Sequence, residues 1–307
     1  MAAKPWFRFL IVVLVFIGLA SLLRFVGKGF EPMNTPSAPR NSILRLDLEG
    51  VIMNGKKFLQ TLKDYSEDKN VKAIVININS PGGSVGPSQE INAALRRVRE
   101  EHKIPVICSS SGLMASGAYY AAVACDKIVV SPGALVGSIG VIMEFANLEK
   151  LYDWAKVSRY SITSGKYKDS GAEYRPMRED ERHLFQDLIS EVYGQFTEAI
   201  VTGRPNLKKD VLTEYADGRV FTGAKAVKLG FADAEGSFDD AVNMAAEAAG
   251  LEKDKYELFK APKARSRWWS WASEDEDPIN GFFSSMKGFL KLNTLNKPMY
   301  LMPGSWE

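Results

Sequence analysis

Histidine is the scarcest chemistry-bearing residue here, with only His102 and His183 in 307 residues. His102 follows a charged helix end and His183 sits in the run Glu179-Asp180-Glu181-Arg182, so both read as surface residues and a Ser-His-Asp triad is not expected. Cysteine is equally sparse. Cys108 and Cys125 lie in apolar stretches without the paired spacing of a zinc site or a redox motif. They read as two buried thiols, with a single disulfide as the alternative. Excess charge is also lacking: 39 basic against 37 acidic side chains leave +2, which gives no reason to expect nucleic acid as a partner. The glycine loop Ser80-Pro81-Gly82-Gly83-Ser84 has neither the lysine and downstream hydroxyl of a phosphate loop nor the spacing of a dinucleotide fingerprint.

What is present begins with a short apolar run. Phe9 to Leu23 contains Ser21 as its one polar residue and is flanked by Lys4 and Arg8 before and Arg24 and Lys28 after. If Arg24 reaches the headgroups, a helix from about Trp6 to Phe30, within an anchor placed at 1–30, is long enough to cross a membrane. A cleaved signal peptide is the competing reading. The expected orientation leaves the N-terminus in the cytoplasm and the bulk of the chain outside. Residues 31–41, with three prolines, read as a linker.

The composition, 46% hydrophobic and 25% charged, suits a sizeable buried core, placed here at residues 42–260. Ile43 to Leu48 alternates like a strand, and Ala73 to Ile78 is a β-branched run typical of a buried parallel strand. Ile91, Ala94, Leu95 and Val98 have helical spacing, predicting a helix over 87–101. Strands at Pro105–Ser109 and Lys127–Val130 bracket a helix at about Ala115–Ala124, and such alternation means a mainly parallel sheet. Further helices are predicted at Leu148–Lys156, Glu179–Thr202, Gly223–Leu229 and Phe238–Ala249, with a short strand at Tyr160–Thr163. In the long helix Leu184, Leu188, Val192, Phe196 and Ile200 form one apolar row. The tail, 261–307, carries an amphipathic helical stripe from Ile279 to Leu290, and Pro298 to Glu307 reads as an extended apolar segment able to thread into an active site.

Met114-Ala115-Ser116-Gly117-Ala118-Tyr119-Tyr120 puts a serine between small residues where a loop enters a helix. Small neighbours let a carbonyl approach, and free amides can meet an oxyanion. A helix-capping serine would look the same. The glycines at 82 and 83, at the carboxyl end of a parallel strand, add a second backbone-lined wall. With histidine set aside, the remaining base is a lysine. An ordinary lysine is neutral about once in 2,500 molecules at pH 7. Desolvation removes most of that penalty, but chemistry alone does not choose among the lysines.

Five motifs do. Pro81-Gly82-Gly83, Met114 to Tyr120, Gly137-Ser138-Ile139-Gly140-Val141-Ile142, Ser164-Gly165-Lys166-Tyr167-Lys168-Asp169 and Gly218-Arg219-Val220-Phe221-Thr222-Gly223 resemble, in order and spacing, the signal peptide peptidase A family of serine-lysine peptidases. The resemblance covers about 43–245 and is that of the short, single-domain form. It implies Ser116 as nucleophile, Lys168 rather than Lys166 as base, Ser138 as the residue orienting the base, and the Gly83 and Gly117 amides as the oxyanion hole. Ala118 stands where family members often have a second glycine.

The resemblance also implies an α/β fold of the spiral kind shared by caseinolytic proteases and crotonases, a homo-oligomer, no cofactor or metal, and cleavage of remnant signal peptides and other apolar peptides at the cell inner membrane, with the catalytic domain on the extracytoplasmic side. Two rivals stand beside it: a crotonase-like acyl-CoA enzyme, which also uses paired glycine amides, and a membrane scaffold without catalysis.

Overall fold

A computed structural model describes residues 36–252, 255–262 and 297–302. The segments read as the membrane anchor and the amphipathic tail helix lie outside these residues. Among the described residues no helix is long and apolar enough to cross a membrane.

The frame is a six-stranded, all-parallel sheet in the order β10-β1-β2-β4-β6-β9. Its members are β1 Ser42–Glu49, β2 Val71–Asn79, β4 Val106–Ser110, β6 Lys127–Val130, β9 Ala234–Glu235 and β10 Glu257–Lys260. The unbroken β-branched run of β2 follows from burial on both faces. Ile74, Ile76 and Ile78 enter the larger core, while Ala73 and Val75 face a smaller one with Ala241, Val242 and Ala245 of α8 (Phe238–Ala248). Each of the fully buried isoleucines and Val75 contributes about 1.5–3 kcal/mol.

Over the larger core lie α1 (Lys56–Ser66), α2 (Val85–Arg97) and α3 (Gly117–Ala122). The apolar row Ile91, Leu95 and Val98 is buried as its spacing predicts, although the last turn, Val98–His102, widens to a π-helix that ends at left-handed Lys103. Cys108 of β4 and Cys125, beyond α3, are joined in a disulfide with their Cα atoms 6.0 Å apart. This corrects the reading of two free thiols: strand and helix end bring together residues that sequence spacing left unrelated.

Two small sheets sit at the carboxyl ends of the large one. β5 (Leu113–Ala115) pairs in parallel with β7 (Leu135–Gly137), which pairs antiparallel with β8 (Val220–Thr222). β3 (Gly82–Ser84) pairs antiparallel with β11 (Met299–Leu301). The outer helices are α4 (Glu149–Ala155), α5 (Glu179–Gly203), α6 (Lys209–Tyr215) and α7 (Gly223–Leu229).

One expectation fails, and one predicted helix is buried over only part of its length. Tyr160–Thr163 forms no strand; every residue from Asp153 to Lys168 is exposed, so no neighbouring strand is there to pair with it. The apolar row of α5 is buried only from Val192 through Phe196 to Ile200, while Leu184 and Leu188 are 42% and 39% exposed. The first half of α5 runs beyond the edge of the core.

Candidate active site

Ser116 joins β5 to α3 in a turn that only a strained backbone can make. Its φ of 52° and ψ of −118° are rare for a residue with a Cβ and cost about 1–3 kcal/mol. Such a sharp strand-to-helix turn is the kind of device that points a nucleophilic side chain outward from its sheet. The Ser116 amide donates to the Gly137 carbonyl at 2.7 Å, and the serine hydroxyl, although at the N-cap position of α3, makes no capping bond. Its Oγ is buried and has no hydrogen-bond partner among the described residues. Buried hydroxyls are nearly always bonded, and an idle one on a strained turn is available for chemistry.

Ser138 occupies the corresponding position one strand over, directly after β7. It is buried, has φ 52°, and its amide donates to the Arg219 carbonyl at 2.8 Å. Because β5 and β7 are paired and in register at Ala115 and Gly137, the two serines leave adjacent strand ends together.

Gly82, Gly83 and Gly117 converge beside Ser116. Gly82 has φ +94°, and a Cβ there would lie 2.5 Å from the Gly117 nitrogen. A Cβ on Gly117 would run into the Ser88 hydroxyl and stand 3.1 Å from the Gly83 nitrogen. Backbones this close exclude any side chain, and they bring two amides to one place. The Gly117 amide, at the first position of α3, is among those a helix leaves unpaired.

The chain's own segment β11 lies across these amides. Tyr300 pairs with Gly83, and the Met302 amide donates to the Pro81 carbonyl at 3.0 Å, which makes Tyr300–Gly83 a hydrogen-bonding pair of the ladder. On the other side, Met299 exchanges both backbone bonds with Ile142, at 2.9 and 3.0 Å. The Tyr300 carbonyl oxygen stands 3.1 Å from where a Gly117 Cβ would be and closer still to that of Gly82. Its ring fills a pocket, stacked on Tyr120 at 5.1 Å and tilted against Phe196 at 4.7 Å, and its hydroxyl donates to the Val192 carbonyl at 2.9 Å. Burial pushes the phenol well above its ordinary range. The extended tail segment was legible beforehand, but Tyr300 and its pocket were not; the only local hint was the second tyrosine of Ser116-Gly117-Ala118-Tyr119-Tyr120.

Lys168 is elsewhere in character. It lies in the exposed turn that begins at Ser164, its amide donating to the Gly165 carbonyl at 3.1 Å. Since the Ser116 Oγ has no partner, the Lys168 amine does not engage it within one chain. Lys166 is bound instead to Asp180 at 2.6 Å. His102 and His183 are exposed, the latter beside Glu179 at 3.5 Å. Among the described residues no group of three His, Cys, Asp or Glu side chains could hold a metal.

The model of peptidase family S49 matches residues 98–252. A protein of Synechocystis sp., provisionally named a protease, is 41% identical over 224 residues, covering 72% of this chain and 79% of that one. The chain belongs to peptidase family S49. Other relatives are a chloroplastic serine protease of Arabidopsis thaliana, 33% identical over 211 residues, and protease 4 of Salmonella typhi, 31% identical over 230. The match covers 68% and 72% of this chain, but only 31% and 37% of theirs. Membership of S49, the signal peptide peptidase A family, makes the chain a serine peptidase and sets aside the acyl-CoA reading.

Proposed function

We propose that this S49 peptidase cleaves extended, apolar peptides with Ser116 as nucleophile and Lys168 as general base, and that the two meet only when copies of the chain assemble. One observation carries the reading: a peptide segment lies antiparallel on β3 with the Tyr300 carbonyl among the glycine amides, beside a strained, buried and unpartnered serine hydroxyl.

In the reaction, the neutral Lys168 amine removes the Ser116 proton as Oγ bonds to the substrate carbonyl carbon. The Gly83 and Gly117 amides receive the resulting oxyanion, a contribution of the order of 3–4 kcal/mol for each donor. Lys168 then passes its proton to the departing amine. Water, deprotonated by the same amine, opens the ester and regenerates Ser116. Ser138 accepts a hydrogen bond from Lys168 and fixes its direction. No cofactor enters these steps.

Assembly is favoured by the segment leading to Lys168. Trp154 and Ile162 are 80% and 95% exposed, and Leu151, Val157 and Tyr160 are exposed with them. Covering so apolar a strip gains free energy, and a second copy laid on it would carry Lys168 out of water. Desolvation favours the uncharged amine.

The rest of the reading is wider than the site. It comprises a spiral arrangement of the caseinolytic protease and crotonase kind, an anchor over residues 1–30 in the inner membrane, a catalytic domain on its outer side, and remnant signal peptides as natural substrates. The apolar pocket and extended groove agree with such substrates.

The test is complementation. Ser116→Ala and Lys168→Ala proteins should each be inactive on a tyrosine-containing fluorogenic peptide, yet mixed and reassembled they should regain part of the activity, because some interfaces then pair an intact Ser116 with an intact Lys168. Substantial activity in either variant alone rejects its role, and a mixture that stays silent rejects assembly between copies.

A further inference from the structure

The Lys168 turn has almost no apolar support, since residues 161–168 are all exposed. It is nevertheless fastened on both sides of Lys168. Arg178 Nη2 donates to the Lys166 carbonyl at 2.8 Å. Arg175 Nη2 donates to the Asp169 carbonyl at 3.0 Å, and Arg175 Nε to the Asp169 carboxylate at 3.2 Å.

Both arginines are held by one residue. Glu181, 0% exposed, accepts from Arg175 Nη1 at 3.0 Å and Nη2 at 2.6 Å, from the Arg178 amide at 3.0 Å, and pairs with Arg178 Nη2 at 2.7 Å. Two-pronged guanidinium–carboxylate bonds of this kind fix orientation as well as charge. Asp169 and Asp180 complete the set, the latter bound to Lys166 and to Arg178 Nε. The arginines hold the Glu181 and Asp169 carboxyls below the usual carboxylate range.

Glu181 belongs to the first turn of α5, whose N-terminus favours an acid. Further along, the same helix supplies Phe196 and the Val192 carbonyl to the Tyr300 pocket. A single rigid element thus carries the pocket at its middle and the fastened turn at its start.

We infer that Glu181, Arg175 and Asp169 are positioning residues for the general base, a clamp that ties the Lys168 turn to the helix lining the specificity pocket. The inference rests on the reading of Lys168 as base. Burying a full charge is costly. Here the cost secures not a core but an exposed turn, whose worth lies in where it presents one amine.

The experiment compares Arg175→Lys, Asp169→Asn and Lys168→Ala with the parent on one tyrosine-containing fluorogenic peptide, with thermal midpoints measured alongside. Arg175→Lys keeps the charge but loses the fork, and kcat should fall by about a hundredfold, the effect of displacing a catalytic group by about 1 Å, with KM unchanged. The acidic limb of its pH-rate profile should move to higher pH, because a loosened amine is better hydrated. Asp169→Asn, which leaves the Arg175–Glu181 pair intact, should show a smaller fall in the same direction and decides the matter if Arg175→Lys does not fold. Folded variants with the parent's kcat and pH profile, or losses that vanish when the assay is run well below the variant's midpoint, overturn the clamp. If Lys168→Ala is inactive in that case, the base assignment stands without it; an active Lys168→Ala overturns both.

Discussion

Replacing Tyr300 with alanine should open the active site. An aromatic side chain of this size removes about 150–250 Å² from water, which at about 25 cal/mol per Å² holds β11 in place by about 4–6 kcal/mol. The bonds of Met299 with Ile142, of Met302 with Pro81 and of the Tyr300 hydroxyl with Val192 add about 1 kcal/mol each. Ordering residues 297–302 costs about 1–2 kcal/mol apiece. Gain and cost are nearly equal, so the segment is held only marginally; a working margin of about 2 kcal/mol corresponds to about thirty sites closed for each one open. Truncation to alanine costs about 3–5 kcal/mol and reverses that balance. The assay is initial-rate hydrolysis of a tyrosine-containing fluorogenic peptide: apparent KM should fall by about thirtyfold with kcat unchanged, and Tyr300→Phe, lacking only the hydroxyl bond, should lie between. A Tyr300→Ala protein with the parental KM would refute the account of β11 as a competitor for the groove.

Three further outcomes follow from the same geometry. With the Tyr300 carbonyl among the glycine amides and Ser116 as the proposed nucleophile, Tyr300–Leu301 is the bond expected to be attacked, so intact-mass spectrometry should find active protein cut after Tyr300 and Ser116→Ala uncut; an uncut active protein argues against productive presentation. Gly117→Ala should abolish fluorophosphonate labelling of Ser116 while the fold survives, because its Cβ would meet the Ser88 hydroxyl and disturb one oxyanion amide; full labelling would remove Gly117 from the site. Acid should destabilise the protein through Glu181 and Asp169, whose folded-state values are depressed by arginine. Their contribution is complete above the usual carboxylate range of about 4 and is lost as the pH falls through the lower folded values. A thermal midpoint insensitive to pH between about 4 and 2 would contradict those pairings.

Much of the frame was written locally. The run Ala73 to Ile78 could only be a strand covered on both faces, and Lys127–Val130 and Gly223–Leu229 begin and end where their β-branched residues and glycines say. The motif around Ser116 and the glycines at 82 and 83 were visible because a close backbone approach demands small residues in sequence. Other readings failed where distance along the chain hides the neighbour. Nothing near Cys108 announces Cys125, and Leu184 and Leu188 continue a helical row that the core does not reach.

The sequence by itself therefore determined the elements, the parallel sheet and the residue types able to do the chemistry, since these depend on periodicity and local sterics. Tertiary structure alone decided that Ser116 carries a strained backbone, that Glu181 ties down the turn of Lys168, and that Tyr300 fills a pocket made by Tyr120 and Phe196. Ser116 is bent by its place between strand end and helix beside Gly137, Glu181 balances arginine charges around the Lys168 turn, and Tyr300 meets residues far away in the chain; no local pattern encodes which of these partners a residue will meet.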